Sequence, residues 1–233
     1  MLFLCITAII LVVCQNLLSQ AAVTAMGGER AEGYTLILDA GHGGLDGGAV
    51  AADGTRESEL NLAIALRAEA LARLAGIPVI MTRTGEDLDY PEENLTVRQK
   101  KVWDQNRRLS LIEDQERGVL ISVHQNTYPD SRPSGTEVLY AKTSGSKELA
   151  EGLHGELIRC LNPENRRVAM PISDSIYLMK KARCTAVLVE CGFLSNAAEA
   201  ERLKTADYQK KLAVVLIGSY LNYISSIQTE VYQ

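Results

Sequence analysis

The chain has 233 residues, enough for one large domain or two small ones, and a hydrophobic fraction of 46% supports a substantial core. Its charged fraction of 23% is ordinary for a globular protein. A formal net charge of −5 and a pI near 5.4 exclude the basic stripe that a nucleic-acid surface needs, so no nucleic-acid partner is expected; the pairs Lys100-Lys101 and Arg107-Arg108 read as a solvated helix face.

Residues 2–14 are nearly all apolar, and no charged side chain precedes Glu29. Residues 1–25 therefore read as a secretory leader or N-terminal membrane anchor, with a small-residue cleavage pattern at Val23-Thr24-Ala25. The clean apolar run is shorter than the roughly 20 residues of a spanning helix. Export is the expectation, with an uncleaved leader acting as a membrane tether as the alternative. Residues 26–233, which show no repeats or linker, read as one α/β domain.

Residues 34–39 form an apolar run that reads as a first, central strand. A glycine-rich turn follows, Gly41-His42-Gly43-Gly44, and continues through Asp46-Gly47-Gly48. Gly54-Thr55-Arg56-Glu57 opens a helix whose buried stripe is Leu60, Ile64, Leu71 and Leu74, with Gly76 as its cap. Residues 79–82 read as a second strand, and strand–helix–strand order argues for a parallel crossover. A polar loop over 84–94 leads to a charged helix over 95–112, then to a strand over 118–123 that ends at His124. Residues 135–141 read as a fourth strand, 147–161 as an amphipathic helix carrying His154, and 176–179 as a short strand. A central strand over 185–189 ends at Glu190, and 207–224 is a closing helix with Leu212, Val215, Leu216 and Tyr220 on one face.

Ligands in open α/β sheets bind beyond the carboxyl ends of the strands. Three strand-like runs lead there to His42, His124 and Glu190. Catalytic zinc takes three nitrogen or oxygen ligands and keeps one position open. The chain has three histidines, and His154 reads as a helix-surface residue, so His42 and His124 need a carboxylate as third ligand. Glu57, in the first turn of the helix after the glycine loop, is preferred on placement. Glu59 is its rival, about 200° away around the helix. Glu190 is the candidate general base, a carboxylate able to take a proton from attacking water and pass it to a leaving nitrogen. Cys191 beside it reads as a small buried residue rather than a nucleophile. Cys160, Cys184 and Cys191, the cysteines outside the leader, are odd in number and lack a CxxC spacing, which excludes a disulfide framework and a thiolate zinc site.

Four stretches together carry a family resemblance. They are Leu38-Asp39-Ala40-Gly41-His42-Gly43-Gly44, then Gly54-Thr55-Arg56-Glu57 with Leu60-Asn61-Leu62, then Ser122-Val123-His124-Gln125-Asn126, and Val187-Leu188-Val189-Glu190-Cys191-Gly192-Phe193-Leu194-Ser195-Asn196. In this order the chain resembles the zinc-dependent N-acetylmuramoyl-L-alanine amidases of the amidase-3 type. The resemblance implies zinc ligands at His42, Glu57 and His124 and a catalytic carboxylate at Glu190, which decides for Glu57 over Glu59. It implies a twisted, mixed, mostly parallel sheet of about six strands flanked by helices on both faces. The implied reaction cuts the amide between the lactyl group of N-acetylmuramic acid and the L-alanine of peptidoglycan stem peptides. Arg98-Gln99-Lys100-Lys101 with Asp104 and Arg107-Arg108, and Ser175-Ile176-Tyr177-Leu178-Met179-Lys180, resemble the CwlD-type sporulation and germination branch. That implies spore-cortex maturation through muramic-δ-lactam formation, and a place in the cell envelope or forespore intermembrane space. Ala40 stands where many relatives have Pro, and Gln125 where many have Ala. No wall-binding repeat is present, so an activator or positioning protein is expected as a partner. The rival functions are a zinc peptidase cutting within the stem peptide and a non-catalytic wall-binding module.

Overall fold

The computed structural model describes residues 33–231, and the leader read over residues 1–25 lies outside them. Strands β1 (Thr35–Ala40), β2 (Val79–Met81), β3 (Gly118–Asn126), β4 (Glu137–Tyr140), β5 (Met170–Pro171) and β6 (Thr185–Phe193) form one sheet in the order β2-β1-β3-β6-β4-β5. The first four strands in that order are mutually parallel, while β4 runs antiparallel to β6 and parallel to β5. The helices are α1 (Glu57–Leu74), α2 (Val97–Glu113), α3 (Ser146–Leu161), α4 (Tyr177–Lys181), α5 (Ala197–Leu203) and α6 (Ala206–Val231). This is the α/β domain with a mixed, mostly parallel six-stranded sheet that the sequence led us to expect.

Side chains alternate across the strands, so each strand feeds two cores. Leu36, Leu38, Ile121, Val123, Val187 and Val189 pack against α1, α3 and α6. On the other face Ile37, Leu120, Ala186 and Leu188 meet Ile112 of α2 and Leu178 and Met179 of α4. Burial of one such large side chain contributes about 1.5–3 kcal/mol, more than the ~1 kcal/mol of a good cap. Packing therefore holds α1, whose N-cap residue Arg56 makes no side-chain capping bond. Helix α6 includes a stretch, Ala206–Thr229, long and apolar enough to cross a membrane. Its Leu212, Leu216, Tyr220 and Ile224 are fully buried within the domain, which makes it a core helix.

Several expectations need correction. Of the short strand read over 176–179, residues 177–179 are in helix α4 and Ile176 is its N-cap, since a brief apolar run has no period that separates strand from helix. The stripe of α1 is completed by Ala65, Ala68 and Ala72, not by Leu74, which is 72% exposed. His154 is not on the surface: it is buried, with Nε2 3.3 Å from the Thr136 carbonyl oxygen. Arg108 is not on a solvated face but is buried against the glycine-rich loop. His124 and Glu190 do not terminate their strands, which run on to Asn126 and Phe193.

Candidate metal centre

Strand β1 delivers the chain to the loop that follows Ala40. His42 is the only non-glycine residue with positive φ, +60°, among the described residues, a conformation that costs on the order of 1–3 kcal/mol. Two buried arginines hold the loop in place. Arg83 donates to the carbonyl oxygens of Ala40, Gly41 and Ser58, and Arg108 donates to those of Ala40 and His42. Arg108 is itself fixed by Asp39 at 2.7 Å and Asp104 at 2.8 Å. Asp39 also accepts from Ser122 and Thr82. Burial works against the Asp39 carboxylate, but Arg108 and the Ser122 hydroxyl outweigh it and hold its pKa at about 2.

Helix α1 docks by its N-terminus on the same loop. Its otherwise unpaired Glu57 and Ser58 amides donate to the carbonyl oxygens of Ala49 and Gly47. Glu57 is therefore turned inward and buried, while Glu59 is exposed. The Glu57 carboxylate accepts from the amides of Ala49 and Gln125 and from Asn61 Nδ2. Asn61 also donates to the Gly41 carbonyl and accepts from Gln125 Nε2, which ties helix, loop and β3 together.

Glu57 Oε1 lies 3.3 Å from His42 Nε2 and 3.0 Å from His124 Nδ1. The three ligand atoms all fall within 4.8 Å of one another. Two ligands bound at 2.0–2.1 Å to one tetrahedral ion are roughly 3.3 Å apart, so this donor set of two nitrogens and one oxygen fits zinc. The surroundings favour a cation. Burial disfavours a charged His42 ring, yet the carboxylates of Asp46 and Glu57 prevail and raise its pKa to about 9. The same two rings, with burial opposing them, push the Glu57 carboxyl well below its ordinary range. Asp46 stands 3.2 Å from His42 Nδ1 and 2.8 Å from Lys101 Nζ, leaving Nε2 for the centre. His42 and His124 retain 23% and 20% side-chain exposure, enough for an ion and a substrate to reach them.

Parallel register sets Glu190 beside His124, and antiparallel register sets Glu137 on the other side of Glu190. Directly paired residues project to one face, so the three side chains form a row across β3, β6 and β4. Glu190 Oε2 is buried without a hydrogen-bond partner. Burial, reinforced by the Glu57 and Glu137 carboxylates and opposed by the histidines, raises the Glu190 pKa to about 7. Cys191 is fully buried, and burial pushes its thiol far up, which suits core packing and not nucleophilic attack.

Asp39, Asp46, Asn61, Arg83 and Arg108 support this centre without having been singled out as site residues from the sequence. Asn61 and Arg108 carry a local signal, their i+4 spacing from Glu57 and from Asp104 on one helix face. Gly41 is a further requirement: a Cβ there would run into Nε2, Cε1 and Cδ2 of the His124 ring. Gly41→Ala is expected to displace that ring, costing about 1–3 kcal/mol of overpacking and weakening metal binding. Titration of the variant with zinc checks this, and wild-type affinity would refute it.

Residues 36–218 match the Amidase_3 family, described as N-acetylmuramoyl-L-alanine amidase. The chain is 34% identical over 194 residues to the germination-specific N-acetylmuramoyl-L-alanine amidase of Bacillus subtilis (strain 168), covering 83% of this chain and 81% of that relative. It is 30% identical to the N-acetylmuramoyl-L-alanine amidase LytC of the same strain, of which it spans 36%. Among solved structures it is similar to the CwlD amidase from Clostridioides difficile in complex with the GerS lipoprotein. The TM-score is 0.79 and the identity 38%, over 82% of this chain and 98% of that one.

Proposed function

The chain belongs to the Amidase_3 family and is an N-acetylmuramoyl-L-alanine amidase acting on peptidoglycan, and on that premise we propose that it is a zinc enzyme with His42, Glu57 and His124 as ligands and Glu190 as catalytic base. The bond cut is the amide between the lactyl group of N-acetylmuramic acid and L-alanine. The observation that carries this reading is the convergence of three ligand atoms within 4.8 Å, beside a register-paired, half-buried Glu190 whose Oε2 has no hydrogen-bond partner.

Zinc, when bound, supplies Lewis-acid polarisation of the amide carbonyl and of water. Everything else falls to the chain. Glu57 is held by two backbone amides and Asn61, so its oxygen stays oriented. Glu190 takes a proton from the attacking water and returns it to the leaving nitrogen, releasing a lactyl carboxylate and a free L-alanine amino group. A carboxyl with a pKa near neutrality is suited to both halves of that transfer.

The finer role is spore-cortex maturation, in which stem peptides are removed so that muramic acid can close to muramic-δ-lactam. The 34% identity to a germination-specific amidase supports it. The similarity to a CwlD amidase solved with the GerS lipoprotein supports an activator or positioning protein for this chain too. An envelope location follows from the substrate, with the N-terminal leader as the means of export or tethering.

The test is incubation of the full chain with intact peptidoglycan, first with zinc and then with a chelator. Mass spectrometry is expected to find stem peptides with a free L-alanine amino terminus with zinc only. Products cut inside the stem would replace the amidase by a peptidase, and turnover indifferent to the chelator would remove zinc.

A further inference from the structure

Helix α2 contributes none of the three ligands, yet it holds the glycine-rich loop at three points. Arg108 donates to the carbonyl oxygens of Ala40 and His42. Lys100 Nζ lies 5.0 Å from the centroid of the Tyr90 ring, and the Tyr90 hydroxyl accepts from the Leu45 amide at 3.4 Å. Lys101 Nζ reaches Asp46 Oδ2 at 2.8 Å. Lys100 and Lys101 belong to the stretch Arg98-Gln99-Lys100-Lys101, to which the hydrolytic reaction itself assigns no role.

The loop folds back on itself to bring Asp46 against His42. Gly43 and Asp46 exchange backbone hydrogen bonds of 2.8 and 3.0 Å. The two oxygens of the Asp46 carboxylate then face different partners. Oδ1 stands 3.2 Å from His42 Nδ1 and accepts from the Gly48 amide at 3.3 Å, while Oδ2 meets Lys101. The far edge of the same ring puts Nε2 3.3 Å from Glu57 Oε1.

Packing confines the plane of the His42 ring. The His124 ring stands edge-on to it, 5.0 Å between centroids, and a Cβ on Gly48 would come within 2.8 Å of His42 Cδ2. Packing does not choose which nitrogen faces the metal, because an imidazole turned by 180° has nearly the same outline. That choice is set by the hydrogen bond of the other nitrogen. His42 Nδ1 is buried and makes no aligned hydrogen bond among the described residues, and a buried N–H without an acceptor is costly. The Asp46 oxygen is the acceptor placed to take its proton.

On the zinc reading of the centre, we propose that Asp46 is a positioning residue that keeps His42 Nε2 towards the metal, and that Lys101 of α2 acts on the metal site through Asp46. Asp46 is not itself a ligand, since it stands at the nitrogen turned away from Glu57.

The experiment measures zinc affinity of the full chain by competition with a chromophoric chelator, together with thermal unfolding of the metal-free protein. Asp46→Asn is expected to weaken zinc binding by about 10- to 100-fold, the range for losing an outer-shell partner. An amide donates as well as accepts, which frees the ring to turn. Lys101 is 54% exposed, so its variants retain the fold. Lys101→Met is expected to cost up to about 5-fold, the scale of an exposed ion pair, and Lys101→Arg to keep wild-type affinity. Because the lysine acts through the carboxylate, the double variant is expected to bind zinc no more weakly than Asp46→Asn alone. Wild-type affinity in Asp46→Asn, with or without a lowered Tm, would overturn the proposal, as would losses that add in the double variant. A loss as deep as that of His124→Ala would make Asp46 a ligand instead. A wild-type chain that binds no zinc would overturn the metal reading beneath it.

Discussion

Glu190→Gln is expected to keep its metal and to lose about 100- to 10,000-fold in turnover, the range that a positioned general base contributes. Gln preserves the size and shape of the side chain, so the β6 register with His124 and Glu137 is retained. What disappears is the ability to take a proton from water and return it to nitrogen. The substitution also relieves a burial that disfavours the charged carboxylate, so the folded state is not expected to lose stability. Zinc content and single-turnover rates measured on one preparation separate the two properties. Turnover within a few-fold of wild type would remove Glu190 from the reaction, and loss of zinc would make it a ligand.

His124→Ala has the opposite signature. One of three donors is removed, and the Glu57 oxygen 3.0 Å from the ring loses its partner. Metal affinity is expected to fall by more than about 100-fold, beyond the 10- to 100-fold typical of losing an outer-shell partner, and activity with it. Competition against a chromophoric chelator measures the affinity. Glu59→Ala is the matched control, because Glu59 sits on the exposed face of α1 and is expected to leave zinc binding as it is. Stoichiometric zinc in His124→Ala, at wild-type affinity, would refute its role as a ligand.

The fold was legible because its strands are short apolar runs separated by helical segments with turn residues at their ends. The helix after the glycine loop ends in the sequence at Gly76, and in the structure Gly76 has φ +70° with its amide on the Arg73 carbonyl. Legibility failed where the local period was too short to decide, as at Tyr177–Lys181, which is helical. It failed again where small residues did the packing: Ala65, Ala68 and Ala72 carry the stripe of α1 that Leu74 was expected to complete.

By itself the sequence determined which residue types the candidate centre offers. Two histidines and two carboxylates fall at the carboxyl side of β-runs or just after a glycine turn, and their residue types limit what they do together. Spacing alone left Glu57 and Glu59 unresolved, and motif resemblance chose Glu57. Tertiary structure then supplied the reason: the glycine loop accepts the Glu57 and Ser58 amides and turns the Glu57 carboxylate towards both rings. Only tertiary structure decided the fate of Arg83 and Arg108. Each is charged, and charged residues read as surface unless a partner is known. Here the partners are backbone carbonyls and the carboxylate of Asp39, 69 residues from Arg108 along the chain. Hydrogen bonds over that separation leave no periodic trace in a sequence, because they depend on which strands lie side by side and not on which residues lie next to one another.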